Sequence, residues 1–475
     1  MHTLKRSRVL MEKMKIKILI ILLILSTPVY ATTEIAVHHA DYDGCVLLVI
    51  DGLGSSYCYP ELTPHALDHS KLGRASCTNL LAIADSGMRV TDVRAQVTGT
   101  RQGYPVIVTG CSNATPEMVA SGTTIFDIAH ENGYFCTGVM ENGDFDEMCD
   151  ELDTIMHIQN KSIKNPEISI DTHPYSHEDI SRNISELMAE WSNITEYIGD
   201  KESVKRYIAY NEWAVDASDA IIRDLCEDET PFIMIVNLGA VDSAGHNLGA
   251  SGYLDVIDGT DEAVMKLYQR CVDHHLLFIL TADHGMGFSA SGAAHGGHAS
   301  EKYAKHPESQ LIPLVFSGSG VAAGIIESGG QEDIAPTLLR QMGMPDISCD
   351  GSPLPVGRYA DLRVITDPDA DVEVRGCGGV IRGTSDSEFL FRGLDANCNY
   401  TVLVTGDGET DEYEIFLDSD RVVDCSAAGR AIVSDPYEQV EKTQKNDQKN
   451  VLWIAVPIIM INLVGILLII KIMRE

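Results

Sequence analysis

Positive charge is scarce in this chain. Its 475 residues carry 35 Lys and Arg against 70 Asp and Glu, a formal net charge of −35. Such a surface repels polyanions, so nucleic acid and anionic membrane surfaces are excluded as partners. No internal repeat is visible. Long apolar runs are missing from the interior and occur only near the two ends. Ile18 to Leu25 follows the basic Met14-Lys-Ile-Lys17 and precedes Val29-Tyr-Ala31. A positive segment, a short apolar segment and small residues in that order read as a secretory signal peptide over residues 1–31, too short in its apolar part to span a bilayer. Val451 to Ile470 holds no charge and is followed by Lys471 and Arg474. It reads as a single transmembrane helix, with residues 438–450 as a juxtamembrane linker and residues 32–450 outside the cytoplasm.

Twelve cysteines in an exported chain permit disulfides, and Cys377, Cys398 and Cys425 are the leading candidates. None falls in a ligand motif, so thiolate ligation of a metal is not expected. Sequons at Asn113, Asn160, Asn183, Asn193 and Asn399 fit an exported glycoprotein.

What the chain does contain is four fragments rich in carboxylate and imidazole: Val49-Ile-Asp51-Gly52, Asp242-Ser-Ala-Gly-His246, Thr281-Ala-Asp283-His284-Gly285 and Lys305-His306-Pro307. Three of them sit at or just past short apolar runs, Val46 to Ile50, Phe232 to Val236 and Leu276 to Leu280, that read as buried parallel strands. Open α/β sheets bind ligands beyond the carboxyl ends of their strands, so these residues are expected on one rim. Three carboxylates and three imidazoles suit zinc, or manganese if oxygen ligation is richer, and they suffice for two ions close together. The expectation is a two-metal hydrolytic centre.

The ordered set resembles the alkaline phosphatase superfamily over about residues 41 to 360. That superfamily includes phosphatases, phosphodiesterases, phosphoethanolamine-type transferases, cofactor-independent phosphoglycerate mutases and sulfatases. Asp333-Ile-Ala-Pro-Thr-Leu-Leu339 with Met342-Gly-Met-Pro345 looks like its closing helix. The resemblance implies one metal held by Asp51, Asp283 and His284 together with Thr100, and another held by Asp242, His246 and His306. His295 and His298, in the Gly-rich run Ser291 to His298, are the alternatives to His306, which is chosen because it leads directly into the strand Leu314-Val-Phe316. Failing that, His295 and His298 line the substrate pocket with Arg101.

In the superfamily the nucleophile opens a helix ten residues ahead of a glycine. Counting back from Gly110 gives Thr100, with Thr98 and Ser112 as fallbacks. A threonine hydroxyl needs activation, which a metal supplies, and a helix N-terminus favours the phosphate beside it. Two departures matter. Asn237 stands five positions before Asp242, where phosphatases with a third, magnesium site have Glu. Cys111-Ser-Asn-Ala-Thr115 lacks the Pro and Arg of a sulfatase signature. By resemblance the first leans toward the phosphodiesterase, phosphotransferase and mutase branches, and the second disfavours sulfatase chemistry.

The expected architecture is an α/β catalytic domain over residues 41–360, a three-layer sandwich with a mostly parallel sheet. Helices are expected at Thr123 to Glu131, at Glu178 to Ile198 and at Val204 to Leu225, the last two forming an insertion that shapes the pocket. From 361 to 433 the period changes to two, which reads as a small antiparallel β-sandwich. The function expected is a membrane-anchored, extracytoplasmic phosphoric-ester hydrolase working through phosphothreonine. A phosphotransferase and a non-catalytic surface-binding protein are the alternatives.

Overall fold

A computed structural model describes residues 33–36, 42–141, 146–160, 162–377, 379–406, 409–426 and 432–434. The expected signal peptide, juxtamembrane linker and membrane helix lie outside the described residues. Among the described residues no helix is long and apolar enough to cross a membrane. The chain forms two units, residues 39–358 and a smaller one built from 33–36 and the strands after 358.

Strand β1 (Thr33–Ala36) belongs to the smaller unit. The larger unit is built on a nine-stranded sheet made of β2 (Gly44–Ile50), β3 (Met88–Arg94), β4 (Phe135–Met140), β5 (Thr154–Ile158), β6 (Ile168–Thr172), β7 (Phe232–Leu238), β8 (Leu277–Thr281) and two later strands. Between β8 and those two lies a minimal antiparallel pair, β9 (Gly287–Phe288) with β10 (Gly296–Gly297). The sheet is completed by β11 (Leu311–Ser317) and β12 (Gly324–Gly330), in the order β12-β3-β11-β8-β2-β7-β4-β5-β6. The pairs β8–β2, β2–β7, β7–β4 and β4–β5 are parallel, whereas β11 is antiparallel to both neighbours and β6 is an antiparallel edge. Every residue of β2, β7 and β8 is buried, as continuous apolar runs in a sheet covered on both faces require.

Seven main helices cover the sheet: α1 (Thr78–Ser86), α2 (Thr100–Thr109), α3 (Ile125–Glu131), α4 (Glu178–Glu190), α5 (Val204–Glu227), α6 (Ala240–Asp273) and α7 (Ile334–Gln341). Helices α1, α4, α5 and α6 pack in one layer and α2, α3 and α7 in the other. Helix α3 opens on a capping box in which Thr124 and Asp127 satisfy each other's backbone amides. The expected helix from Glu178 to Ile198 is divided. It stops at Glu190, and a short turn at Thr195–Ile198 follows. The expected insertion is not one either, because α5 buries Trp213, Ala214, Ala217 and Ile221 against the sheet and α6. Its apolar stripe is core, and it forms part of the helical layer.

The element labelled α6 is two helices joined at Gly249, whose φ of 70° and ψ of −173° break the helical path. Its second half supports α1 from the side. Asp261 accepts Asn79 N and Leu80 N, each at 2.8 Å, so a carboxylate from one helix caps the start of another.

The smaller unit is a single seven-stranded sheet with its own apolar core. Its long strands are β13 (Tyr359–Gly376), β14 (Gly379–Asp395), β15 (Cys398–Gly406) and β16 (Glu409–Leu417), with β17 (Arg421–Asp424) and β18 (Ile432–Ser434) beside them. The period-two reading is therefore right about strands. Among the described residues these strands form one hydrogen-bonded network. Irregular register between Ile365 and Val372 divides β13, so its first half pairs with β17 and its second half with β15. Strand β1 adds in parallel to β14, bringing residues from before the larger unit into this one. Cys377 and Cys398 are bonded, as are Cys58 and Cys77 of the larger unit, while Cys425 is free.

Replacing Asp261 with Ala leaves two helix-start amides without their acceptor. The expected loss is about 2 kcal/mol of stability, read as a lower denaturant midpoint with unchanged slope.

Candidate metal centre

Strands β2, β7, β8 and β3 run in the same direction, so their carboxyl ends share one rim. Asp51 follows β2, Asp283 follows β8, Asp242 lies in the first turn of α6 after β7, and Thr100 opens α2 after β3. Two glycines permit the close approach. Gly52 has φ of +74°, and a Cβ there would lie 2.8 Å from the Asp242 Cβ. A Cβ on Gly103 would lie 3.0 Å from the Asp283 carbonyl oxygen, so only glycine lets the helix that carries Thr100 lie this near β8.

Asp51, Asp283 and His284 form one cluster, all fully buried. His284 Nε2 is 3.4 Å from Asp51 Oδ1 and 3.3 Å from Asp283 Oδ2. Asp283 Oδ1 accepts His284 N at 2.9 Å and Gly52 N at 3.2 Å, which leaves Oδ2 buried with no hydrogen-bond partner. The second cluster is Asp242, His246 and His298. Asp242 Oδ1 is likewise buried without a hydrogen bond and lies 3.4 Å from Nε2 of each histidine. The rings of His284 and His298 stack at 3.6 Å, so the clusters adjoin.

The histidine tautomers follow from what each Nδ1 faces. His284 Nδ1 donates to Gly285 O at 3.0 Å, His246 Nδ1 to Gly296 O at 3.2 Å, and His298 Nδ1 to Thr98 O at 2.5 Å. A carbonyl can only accept, so all three Nε2 atoms carry lone pairs directed into the clusters. His246 Nε2 and His298 Nε2 are 3.0 Å apart. Two lone pairs that close repel unless a cation lies between them. With the orphaned carboxylate oxygens, this donor set fits a pair of divalent ions, and imidazoles oriented through carbonyls are the usual outer support of such sites.

Thr100 Oγ1 is 3.0 Å from His284 Nε2, and with that nitrogen an acceptor the hydroxyl donates. The hydroxyl therefore stands against the first cluster, at the positive end of α2. Thr98 is committed elsewhere, its Oγ1 donating to His298 O at 2.8 Å. Ser112 lies beyond the far end of α2, its amide on Asp350.

The placement of His306 departs from expectation. The structure brings His298, and not His306, to Asp242 and His246. His306 Nδ1 is 2.8 Å from Glu308 Oε2, and Glu308 Oε1 accepts His65 N at 2.7 Å. The short pairing of β9 with β10 folds the Gly-rich run back across the rim and carries His298 inward. Sequence distance to the last strand does not register that fold. His295 is exposed beside the second cluster, its Nδ1 donating to His246 O at 2.7 Å. Arg101 does not accompany Thr100, since its Nη2 is 2.5 Å from Glu147 Oε1 beside a shallow surface cleft that Tyr104, Pro105 and Met148 also line. Asn237 donates to the Tyr104 hydroxyl, which ties β7 to α2.

Sequence reasoning missed Glu141. It follows β4 and accepts the first amides of α6, and no motif announces it. A third cluster, His130, Cys136 and Asp153, is bonded throughout: Asp153 accepts His130 Nε2, Cys136 N and Tyr175 N at 2.9, 2.8 and 2.7 Å. That arrangement joins α3 to β4 without an ion.

Burial, and next the charge of Asp242, push the Asp283 carboxyl up to about 7. Burial, and next His284, push His298 down to about 4. His298 is therefore neutral at pH 6, whereas Asp283 must release its proton before it can ligate. Apparent metal affinity of the first cluster should fall about tenfold per pH unit below 7 and level off above it, as a calorimetric titration across pH 5 to 9 would show. His298→Ala should lose one of two bound ions by elemental analysis, and His306→Ala should retain both.

The Metalloenzyme superfamily model matches residues 44–346. Among curated proteins, 2,3-bisphosphoglycerate-independent phosphoglycerate mutases align over a short stretch. The enzyme of Acinetobacter baylyi is 29% identical over 136 residues, 28% of this chain and 24% of its own length. That of Thiobacillus denitrificans is 28% identical over 117 residues, 24% and 21%. The chain thus spans about a quarter of the length of the curated relatives it matches. Among solved structures, an alkaline phosphatase superfamily protein of Vibrio parahaemolyticus is 15% identical, with 85% of this chain and 84% of that one covered and a TM-score of 0.44. The lipoteichoic acid synthase LtaP of Listeria monocytogenes is 11% identical, with 78% and 86% covered and a TM-score of 0.45.

Proposed function

The chain belongs to the Metalloenzyme superfamily, in keeping with the alkaline phosphatase superfamily pattern of its motifs, and within it we propose a two-metal phosphoric-ester hydrolase acting through phospho-Thr100. The observation that carries this reading is the Thr100 hydroxyl, 3.0 Å from His284 Nε2 at the start of a helix. Divalent ions, zinc or alternatively manganese, would be held by Asp51, Asp283 and His284 and by Asp242, His246 and His298, and when bound supply positive charge that favours the Thr100 alkoxide and the departing oxygen.

The chain's own residues do the rest. Thr100 gives up its proton to solvent, its Oγ attacks phosphorus while the bond to the leaving alcohol oxygen breaks, and that oxygen takes up a proton from water. The start of α2 favours the anionic phosphoryl oxygens that gather there. Water then attacks phospho-Thr100, which restores the hydroxyl and releases phosphate or its monoester. His295, exposed next to the second cluster, is positioned to meet the outer part of a substrate.

The absence of a sulfatase signature around Cys111 supports phosphate over sulfate esters. The commitments of Arg101 to Glu147 and of Asn237 to Tyr104 support substituted phosphoryl groups over simple monoesters, because a monoester carries one more negative charge to be met. A second reading, transfer to an alcohol in place of water, is favoured by the names of the mutase relatives and uses the same residues. The leader over residues 1–31 and the apolar run at 451–470 support an enzyme anchored in the cell membrane with its catalytic unit outside the cytoplasm.

Thr100→Ala should abolish turnover with both ions retained, and Thr100→Ser should keep part of the rate. Wild-type activity in the alanine variant would end the assignment. In a screen of p-nitrophenyl substrates, the expected order of kcat/KM is diester, then monoester, then sulfate. A monoester efficiency tenfold above the diester, about 1.4 kcal/mol at the transition state, contradicts the diester preference. A protein that binds no zinc or manganese and gains no activity from them would instead be a non-catalytic binding protein.

A further inference from the structure

Glu141 is a carboxyl with only 3% exposure that the chemistry above does not use. Its backbone joins it to β7, Glu141 N donating to Asn237 O at 3.3 Å. Its Oε2 accepts Gly239 N at 2.8 Å and Ala240 N at 3.0 Å, the amides at the very start of α6. Asp242 and His246 follow within the next two turns. With its carboxamide nitrogen turned to Glu141, Asn211 of α5 donates to Oε1 at 3.0 Å and Oε2 at 2.9 Å, while its oxygen accepts Thr260 Oγ1 at 2.7 Å. Glu141 is thus gripped from α5 as it grips α6.

We propose that Glu141 is the positioning residue of the Asp242, His246 and His298 cluster: by accepting the first two amides of α6 it sets where that helix begins and so where Asp242 and His246 point. The inference rests on the metal-centre reading. Helix-start amides have no partner within their own helix, and in a buried place nothing but a fixed acceptor can take them. One oxygen that binds two successive amides constrains both the position and the axis of the helix. A shift of the start moves Asp242 directly, because it lies in the first turn. The Asp51, Asp283 and His284 cluster hangs from β2 and β8 and does not feel α6 in this way.

The test compares Glu141→Ala, Glu141→Asp and Glu141→Gln with the wild-type protein by zinc stoichiometry and by amide hydrogen exchange over residues 237 to 246. Alanine removes the acceptor and aspartate withdraws it by one methylene, so both should hold one zinc in place of two and exchange the start of α6 at least tenfold faster. Glutamine still presents an oxygen at full reach and should restore both readouts. Two zinc ions and unchanged exchange in the alanine variant overturn the proposal, as does equal loss of both ions in the alanine and glutamine variants. If the alanine variant does not fold, aspartate decides, and wild-type behaviour there overturns the proposal. A wild-type protein that binds no zinc defeats the metal-centre reading, yet the exchange measurement still reports whether Glu141 holds α6.

Discussion

The structure is organised around three carboxylates, Asp51, Asp242 and Asp283, brought into one poorly hydrated rim. Like charges so placed repel, and desolvation adds to the cost of each. The strain appears as the raised Asp283 carboxyl, for which burial and the Asp242 charge are the leading causes. Among the described residues no arginine or lysine salt bridge reaches Asp242 or Asp283, and the neighbouring imidazoles turn lone pairs towards them. Positive charge from bound divalent ions resolves both conflicts at once.

That requirement explains otherwise unrelated features. Backbone carbonyls of Gly285, Gly296 and Thr98 set the three imidazoles, and two of those carbonyls lie on loops whose only regular pairing is the β9–β10 bridge or the turn into α2. Gly52 and Gly103 remove the side chains that would hold α6 and α2 away from the strand ends. The place of Thr100 is therefore a packing result as much as a chemical one. Thr100 meets His284 because its helix can lie directly against β8.

The departures from the phosphatase pattern also have structural partners. Asn237 is turned to Tyr104 and Arg101 to Glu147, so two side chains that could have met a phosphate or a third cation are used to hold α2. The acidic surface keeps polyanions away, and the positive end of α2 remains an attraction for a small anion.

The sequence by itself determined the main strands, the common rim and most of the residues that cluster there. A buried parallel strand is announced by a local apolar run, and a residue just past its end has little freedom in where it goes. Asp51, Asp283, His284, Asp242, His246 and Thr100 were legible for that reason. His298 was legible only as an alternative, because its position depends on the pairing of Gly287 with Gly297 and on the hydrogen bond to Thr98, 200 residues away in the chain. His306 had the better spacing to the last strand, but it lies beside Glu308 and outside the cluster. Glu141 and the core role of α5 were hidden similarly, since an acceptor for another helix's amides and a stripe facing a sheet are defined by the partner. The addition of β1 to the distant small sheet is likewise a contact between residues more than 350 apart. Local patterns fix which residues can ligate, and only the folded chain decides which of them meet, because meeting is set by long-range packing that sequence spacing does not encode.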